Sequence, residues 1–178
     1  MRTEEMTLQT ERLTLRPIQT ADAPGMARVW ADFNASGYAC YDSPHSADLS
    51  VVEKQVERWA AFTLAGEDHL FFAVCEGNEL AGFMAFNRRC GGYEISYAFR
   101  KEYHGKGYAR EALTALADFF KKRGCGRLYA GTGLKNTPSV RLLENTGFTL
   151  TETEKVSFYK DENGNDLVFD GGVFELKL

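Results

Sequence analysis

The chemistry most legible in this chain lies in nine consecutive residues, Tyr103-His104-Gly105-Lys106-Gly107-Tyr108-Ala109-Arg110-Glu111. They follow an apolar run over residues 93–99 that reads as a strand. They open a stretch with apolar positions at Ala109, Ala112, Leu113, Leu116, Ala117 and Phe120, the spacing of a helix with one buried face. A Gly-rich turn between a strand and a helix leaves the N–H groups of the first helical turn without intrahelical partners. Those groups point along the positive end of the helix dipole. Gly105 and Gly107 keep side chains out of the way, so a phosphate can approach the backbone closely. Taken alone, a Gly-x-Gly pair fits an anion site and a plain tight turn equally well. The third glycine of a dinucleotide fingerprint is missing. Lys106 is followed by Gly107 rather than by the Ser or Thr that closes a nucleoside-triphosphate loop.

Further polar residues stand near this turn in the sequence. Along residues 93–99, Tyr93, Ile95, Tyr97 and Phe99 alternate with Glu94, Ser96 and Ala98, so the two sets face opposite ways. Glu94 with small residues along its face suits either a cleft wall or a solvated sheet face. Downstream, Asn136-Thr137-Pro138-Ser139 opens a short helical pattern that closes at Gly147-Phe148. Asn is a good N-cap, Pro is tolerated in a first turn and Gly suits the residue just past a helix end. Asn136 and Ser139 therefore read either as cap and first-turn residues or as polar groups facing a ligand. The cysteines Cys40, Cys75, Cys90 and Cys125 form no Cys-x-x-Cys pair, and His45, His69 and His104 have no metal-ligand spacing. No metal site and free thiols in a reducing cytosol are the expectation.

The elements that must hold these residues follow from the pattern. At 178 residues with 44% hydrophobic content, one domain over residues 1–178 with a real core is expected. A net charge of −4 argues against a nucleic-acid partner. No apolar stretch is long enough to span a membrane, and Met1-Arg2-Thr3-Glu4-Glu5 shows no signal-peptide pattern, so a cytoplasmic monomer or homodimer is expected. Residues 10–17 alternate as a half-buried strand that stops at Pro17. A helix starting at Thr20-Ala21-Asp22 follows. Residues 34–44 form a loop, read either as shaping a site or as a surface connection with packed tyrosines. A second helix spans residues 46–64, with Ser50 and Glu53 as a capping box. Strands are expected over residues 70–75, 80–86, 93–99, 127–130 and 149–160, with turns at Gly77-Asn78, Gly91-Gly92 and Asn163-Gly164. A terminal strand runs over residues 166–178 with a bulge at Gly171-Gly172. The fold class is α/β, with a mixed, mostly antiparallel sheet of about seven strands flanked by four helices.

Taken together these residues resemble the GNAT N-acetyltransferases, and in particular the RimJ/RimL-type branch. The family's phosphate motif, Gln/Arg-x-x-Gly-x-Gly/Ala, aligns with His104-Gly105-Lys106-Gly107-Tyr108-Ala109, histidine replacing the usual Gln or Arg. The helix opened by Asn and closed by Gly-Phe aligns with Asn136 through Gly147-Phe148. The opening Thr10-Glu11-Arg12-Leu13-Thr14-Leu15-Arg16-Pro17 and Glu94-Ile95-Ser96-Tyr97 look like the same branch. The resemblance implies acetyl-CoA as co-substrate, its pyrophosphate on residues 104–109, and its pantetheine arm paired with the backbone around Ala98 and Phe99. It implies direct acetyl transfer, without a metal, to a small-molecule or peptide amine. Glu94 is the candidate base, acting directly or through water, or else an ordinary ion-paired carboxylate. Leu143 stands where many members carry an acidic tyrosine. Ser139 then serves the sulfur by a hydrogen bond or an ordered water, or is only a helix residue. Asn136 caps the helix, contacts the cofactor arm, or does both. Tyr97 and Tyr103 read as packing residues. The alternative from a different class is a non-catalytic acyl-CoA-binding or sensing module. A nucleotide-binding domain fits worse, because the acidic residue about 20 positions beyond the glycines is absent.

Overall fold

The computed structural model describes residues 3–178; Met1 and Arg2, at the head of the opening read above for a signal peptide, lie outside them. The strands are β1 (Leu8–Gln9), β2 (Thr14–Pro17), β3 (His69–Glu76), β4 (Glu79–Arg89), β5 (Gly92–Phe99), β6 (Arg127–Gly133), β7 (Thr149–Val156) and β8 (Phe169–Lys177). The helices are α1 (Ala23–Asn34), α2 (Leu49–Ala65), α3 (Tyr108–Lys122) and α4 (Thr137–Asn145). The strands form one sheet in the order β1-β2-β3-β4-β5-β6-β8-β7. All neighbours are antiparallel except β5 and β6. This is the mixed, mostly antiparallel α/β architecture expected, with β1 as an eighth, two-residue strand.

Each face of the sheet is covered by helices, which explains the unbroken apolar runs in β3 and β4. Successive side chains alternate faces. Phe71, Phe83, Ala85 and Ala98 pack with Met26, Val29 and Trp30 of α1 and Val52 and Val56 of α2. Phe72, Phe86, Ile95, Leu128 and Phe174 pack on the other side with Leu113, Leu116 and Phe120 of α3. Phe120 lies on Phe86 and Tyr93, with ring centroids 4.3 Å and 4.7 Å apart. Fully burying such a ring contributes about 1.5–3 kcal/mol. It is the apolar stripe of α3 that fixes where the Gly-rich turn sits.

Several local readings shift. Residues 10–13 form a turn, with Thr10 N–H donating to Leu13 O at 2.9 Å, so β2 begins only at Thr14. The N-cap of α2 is Asp48, whose carboxylate accepts from Ser50 N and Val51 N; the box read from Ser50 and Glu53 sits inside the helix. Turn Cys90-Gly91 precedes Gly92, which is already the first residue of β5. The bulge lies on β7, between Leu150 and Glu152, while Gly171 and Gly172 pair regularly with both neighbours. β7 stops at Val156; beyond it only the bridge Lys160↔Asp166 remains, over a turn in which Asp161 accepts from Asn163 N and Asn165 N at 2.8 Å each. A carboxylate that captures backbone donors locally competes with ladder formation.

The feature that matters most for function is the β5–β6 pairing. It joins Tyr93–Leu128, Glu94–Tyr129 and Ile95–Ala130 and goes no further, although β5 continues to Phe99 and β6 to Gly133. The two strands part beyond this joint. Gly92 sits at its start, where an added Cβ would stand 1.9 Å from Arg127 O. Gly92→Ala should therefore push the two strands apart at their only junction. Overpacking of this kind costs about 1–3 kcal/mol, which for a domain this size lowers Tm by roughly 3–10 °C. Thermal unfolding followed by circular dichroism checks it.

Candidate active site

The gap between β5 and β6 is lined by backbone. Arg100 N–H donates to Ala81 O at 2.9 Å, and the β4–β5 register runs unshifted from Gly82↔Phe99 to Arg89↔Gly92. Backbone groups alternate in direction along a strand. Ala98 therefore shares the direction of Arg100, toward β4, whereas Tyr97 and Phe99 turn their N–H and C=O groups into the gap. Of the two residues read as facing a pantetheine arm, Phe99 lies on the gap side of β5 by this alternation. Ala98 is turned toward β4, and Tyr97 shares the direction of Phe99. His104 lies where the motif usually has Gln or Arg. Its Nε2–H donates to Phe99 O at 2.9 Å, which ties the Gly-rich turn to the end of β5.

The turn itself has the backbone its glycines anticipate. Gly105 and Gly107 have φ of 73° and 80°, and Gly107 is the left-handed N-cap of α3. A side chain is strained at such φ values. The first helical bond is Glu111 N–H to Gly107 O at 3.0 Å, so the N–H groups of Tyr108, Ala109 and Arg110 precede the helical ladder. Gly107 brings no side-chain oxygen to cap them. Lys106 Nζ lies 5.2 Å from the centroid of the buried Tyr103 ring.

A second helix start meets the gap from the α3 side. Asn136 caps α4 by accepting from Ser139 N at 3.4 Å. Ser139 Oγ and Tyr97 Oη are 2.8 Å apart. Burial pushes the Tyr97 phenol up to about 12, against a smaller opposing effect of the Ser139 hydrogen bond, so the group stays protonated through the neutral range. Leu143, where many members of the family it resembles carry a tyrosine, is fully buried in the core. The hydroxyl pair Tyr97–Ser139 is what the sequence did not reveal. The alternation put Tyr97 among packing aromatics, and nothing in the pattern marked its phenol as facing another helix.

Glu94 stands apart from this pair. It is on the opposite face of β5, half exposed, with Oε1 3.3 Å from Arg89 Nη1. Arg89 in turn lies over the ring of Tyr129, the β6 partner of Glu94. The loop of residues 35–48 approaches the far side of the gap. Tyr41 packs edge-on to Phe169 at 5.1 Å, and its ring lies 2.5 Å from where a side chain at Gly133 would begin. Tyr159 Oη reaches Ala39 O at 3.4 Å. The loop is anchored at its base by His45, stacked on Trp30 at 3.9 Å, with its carbonyl held by Asn34 at 2.7 Å. Tyr41 thus packs, as one of the two readings of this loop had it, while Tyr38 is exposed.

A sheet split at one parallel joint, with a Gly-rich helix start at the mouth of the split, is the architecture of acyl-CoA-dependent acyltransferases. Residues 12–149 match the acetyltransferase (GNAT) domain family, and the chain belongs to that family. Over 147 residues it is 32% identical to the uncharacterized N-acetyltransferase p20 of Bacillus licheniformis, covering 80% of this chain and 82% of that one. Two solved structures share the fold at low identity. One is the Salmonella typhimurium acetyltransferase that modifies the N-terminal serine of ribosomal protein L7/L12, at 19% identity and TM-score 0.81 over 95% of this chain and 96% of that one. The other is the microcin C7 self-immunity acetyltransferase MccE with acetyl-CoA and AMP, at 17% identity and TM-score 0.79 over 95% and 94%.

If the turn of residues 104–109 holds a pyrophosphate, Gly107→Glu should remove binding in two ways. It strains a left-handed backbone and sets a negative charge against the phosphates. Titration calorimetry with CoA should show at least a hundredfold weaker binding by a folded Gly107→Glu protein.

Proposed function

We propose that this enzyme transfers the acetyl group of acetyl-CoA directly to a primary amine, either a protein N-terminus or a small-molecule amine. The observation that carries it is the parting of β5 and β6 beside the bare N-terminus of α3. The backbone of residues 104–109 would hold the pyrophosphate, with His104, Gly105, Lys106, Gly107, Tyr108 and Ala109 forming the turn. Tyr97 and Phe99 would pair with the pantetheine arm as an added strand does. Acetyl-CoA would supply the thioester carbonyl, and Tyr97 N–H would donate to the developing oxyanion.

The two faces of β5 then take different tasks. On one face, Glu94 is reachable from solvent and can take a proton from the incoming amine directly or through water. On the other, Ser139 can donate to the departing thiolate while the neutral Tyr97 phenol donates to Ser139 Oγ. A hydroxyl is too weak an acid to give up its proton outright at neutral pH. The pair stabilises the thiolate by hydrogen bonding, and the amine's own proton completes the thiol. Asn136 holds the first turn of α4 so that Ser139 faces β5.

The demand on Glu94 depends on the acceptor. An α-amine of pKa about 8 is roughly a tenth neutral at pH 7, whereas a lysine of about 10.4 is neutral in only about one part in a few thousand. The N-terminal-serine acetyltransferase with the same fold acts on an amine of the first kind. A reading without turnover, as an acyl-CoA-binding module, draws on Leu143 in place of an acidic tyrosine. Release of free thiol from acetyl-CoA across a panel of peptide N-termini, polyamines and amino acids decides between them: transfer requires amine-dependent release, whereas binding alone gives none.

Two variants separate the roles. Ser139→Ala should lower kcat by about tenfold or more while CoA affinity stays nearly constant. Glu94→Gln should lower kcat/KM at pH 7 by about 10²–10⁴-fold, the usual worth of general-base help. Raising the pH should restore part of that loss, and more of it for a lysine-like acceptor. A pH–rate series on wild type and Glu94→Gln checks this, and equal rates at every pH would return Glu94 to an ordinary ion-paired carboxylate.

A further inference from the structure

We infer that Arg12 and Glu111 are positioning residues that orient the turn of residues 104–109 for pyrophosphate, so that the segment before β2 sets the enzyme's preference for the whole of CoA over its pantetheine arm. The inference rests on the reading of that turn as the pyrophosphate site.

The geometry is convergent. Glu111, in the first turn of α3, accepts from Thr10 Oγ1 at 2.5 Å, Arg12 N at 2.9 Å and Arg12 Nε at 2.8 Å, with Arg12 Nη2 at 2.6 Å. Burial pulls the Glu111 carboxyl upward, but the bonds from Thr10 and Arg12 outweigh it and hold it below its usual range. The remaining arm of the guanidinium, Nη1, donates to the backbone carbonyl of Lys106 at 2.8 Å. The same guanidinium lies 4.6 Å from the centroid of the Tyr108 ring. A planar fork with five fixed donors can serve these partners together, and a lysine cannot.

The consequence concerns one peptide plane. In a trans peptide the C=O and the following N–H point in opposite directions. Holding Lys106 O against Arg12 therefore turns the Gly107 N–H the other way. Gly105 and Gly107, on either side of Lys106, both have the torsional freedom that would let this plane rotate. The arginine restricts the freedom that the glycines introduce. Glu111 serves doubly, since a carboxylate in the first turn of α3 would repel an anion at that end unless a cation neutralised it. Arg12 supplies that charge while its side chain remains 41% exposed.

A staple that only stabilised the fold would affect every ligand alike, so the test uses two. CoA and pantetheine share the arm and the thiol, and only CoA carries the phosphates. Calorimetric titrations of both into wild type, Arg12→Lys, Glu111→Gln and Thr10→Val, each checked for folding by circular dichroism, are compared. The expected result is CoA binding weakened about tenfold in Arg12→Lys and Glu111→Gln and less in Thr10→Val, with pantetheine affinity within about twofold throughout. Equal weakening of both ligands, or unchanged CoA affinity, would overturn the positioning role. A wild-type protein that bound CoA no better than pantetheine would overturn the pyrophosphate site itself, and the clamp with it.

Discussion

Everything at the candidate site depends on two parallel strands ceasing to pair. Buried or half-buried N–H and C=O groups normally find partners within the sheet, and a strand that gives up its neighbour must find them elsewhere. β5 gives up β6 after Ile95. The core on both faces keeps the split from closing. Phe174 and Leu128 hold β6 and β8 against α3, while Phe83 and Ala98 hold β4 and β5 against α1 and α2. Opening the strands leaves β5 backbone that β6 does not pair, with Phe99 O taken up by His104.

In the proposed reaction the same split would divide the tasks by face. α4 reaches the gap from one side with a hydroxyl, and the solvent-facing side of β5 offers a carboxylate. Position 143 carries a leucine, and the phenol near Ser139 comes from the strand, as Tyr97. Leu143 joins Phe148 in the core and helps seat α4.

Much of this was legible before any coordinates, and what was not has a common cause. The apolar stripe of α3, the Gly-rich turn before it and the Asn136 cap are local patterns, decided within a few residues of one another, and the sequence shows all three. The C-terminal end of β7 and the seat of the bulge depend on which residues of β8 lie opposite, and the terminal glycines do not resolve it because glycine marks bulges and close approaches alike. The cap of α2 was misplaced by two residues because Asp48 and Ser50 are both good caps. The contacts least visible were the most distant. Arg12 and Glu111 are separated by 99 positions, and Tyr97 and Ser139 by 42. Each of these residues was noted for its type or its motif, yet periodicity gives no information on pairing at that range.

β7 ends the sheet, and every residue from Thr149 to Lys155 is exposed. Its outer edge therefore presents unpaired amides, the kind of border on which chains add to one another without limit. The sequence answers this by symmetry. If a second copy laid its β7 antiparallel about a twofold axis centred on Thr153, Glu152 of each would face Glu154 of the other. A centre at either glutamate would set that residue against itself. Like charges directly opposite in a ladder are unfavourable, so each of these central registers is penalised at the edge itself. The rim of the sheet thus carries like charge against these pairings with its own kind.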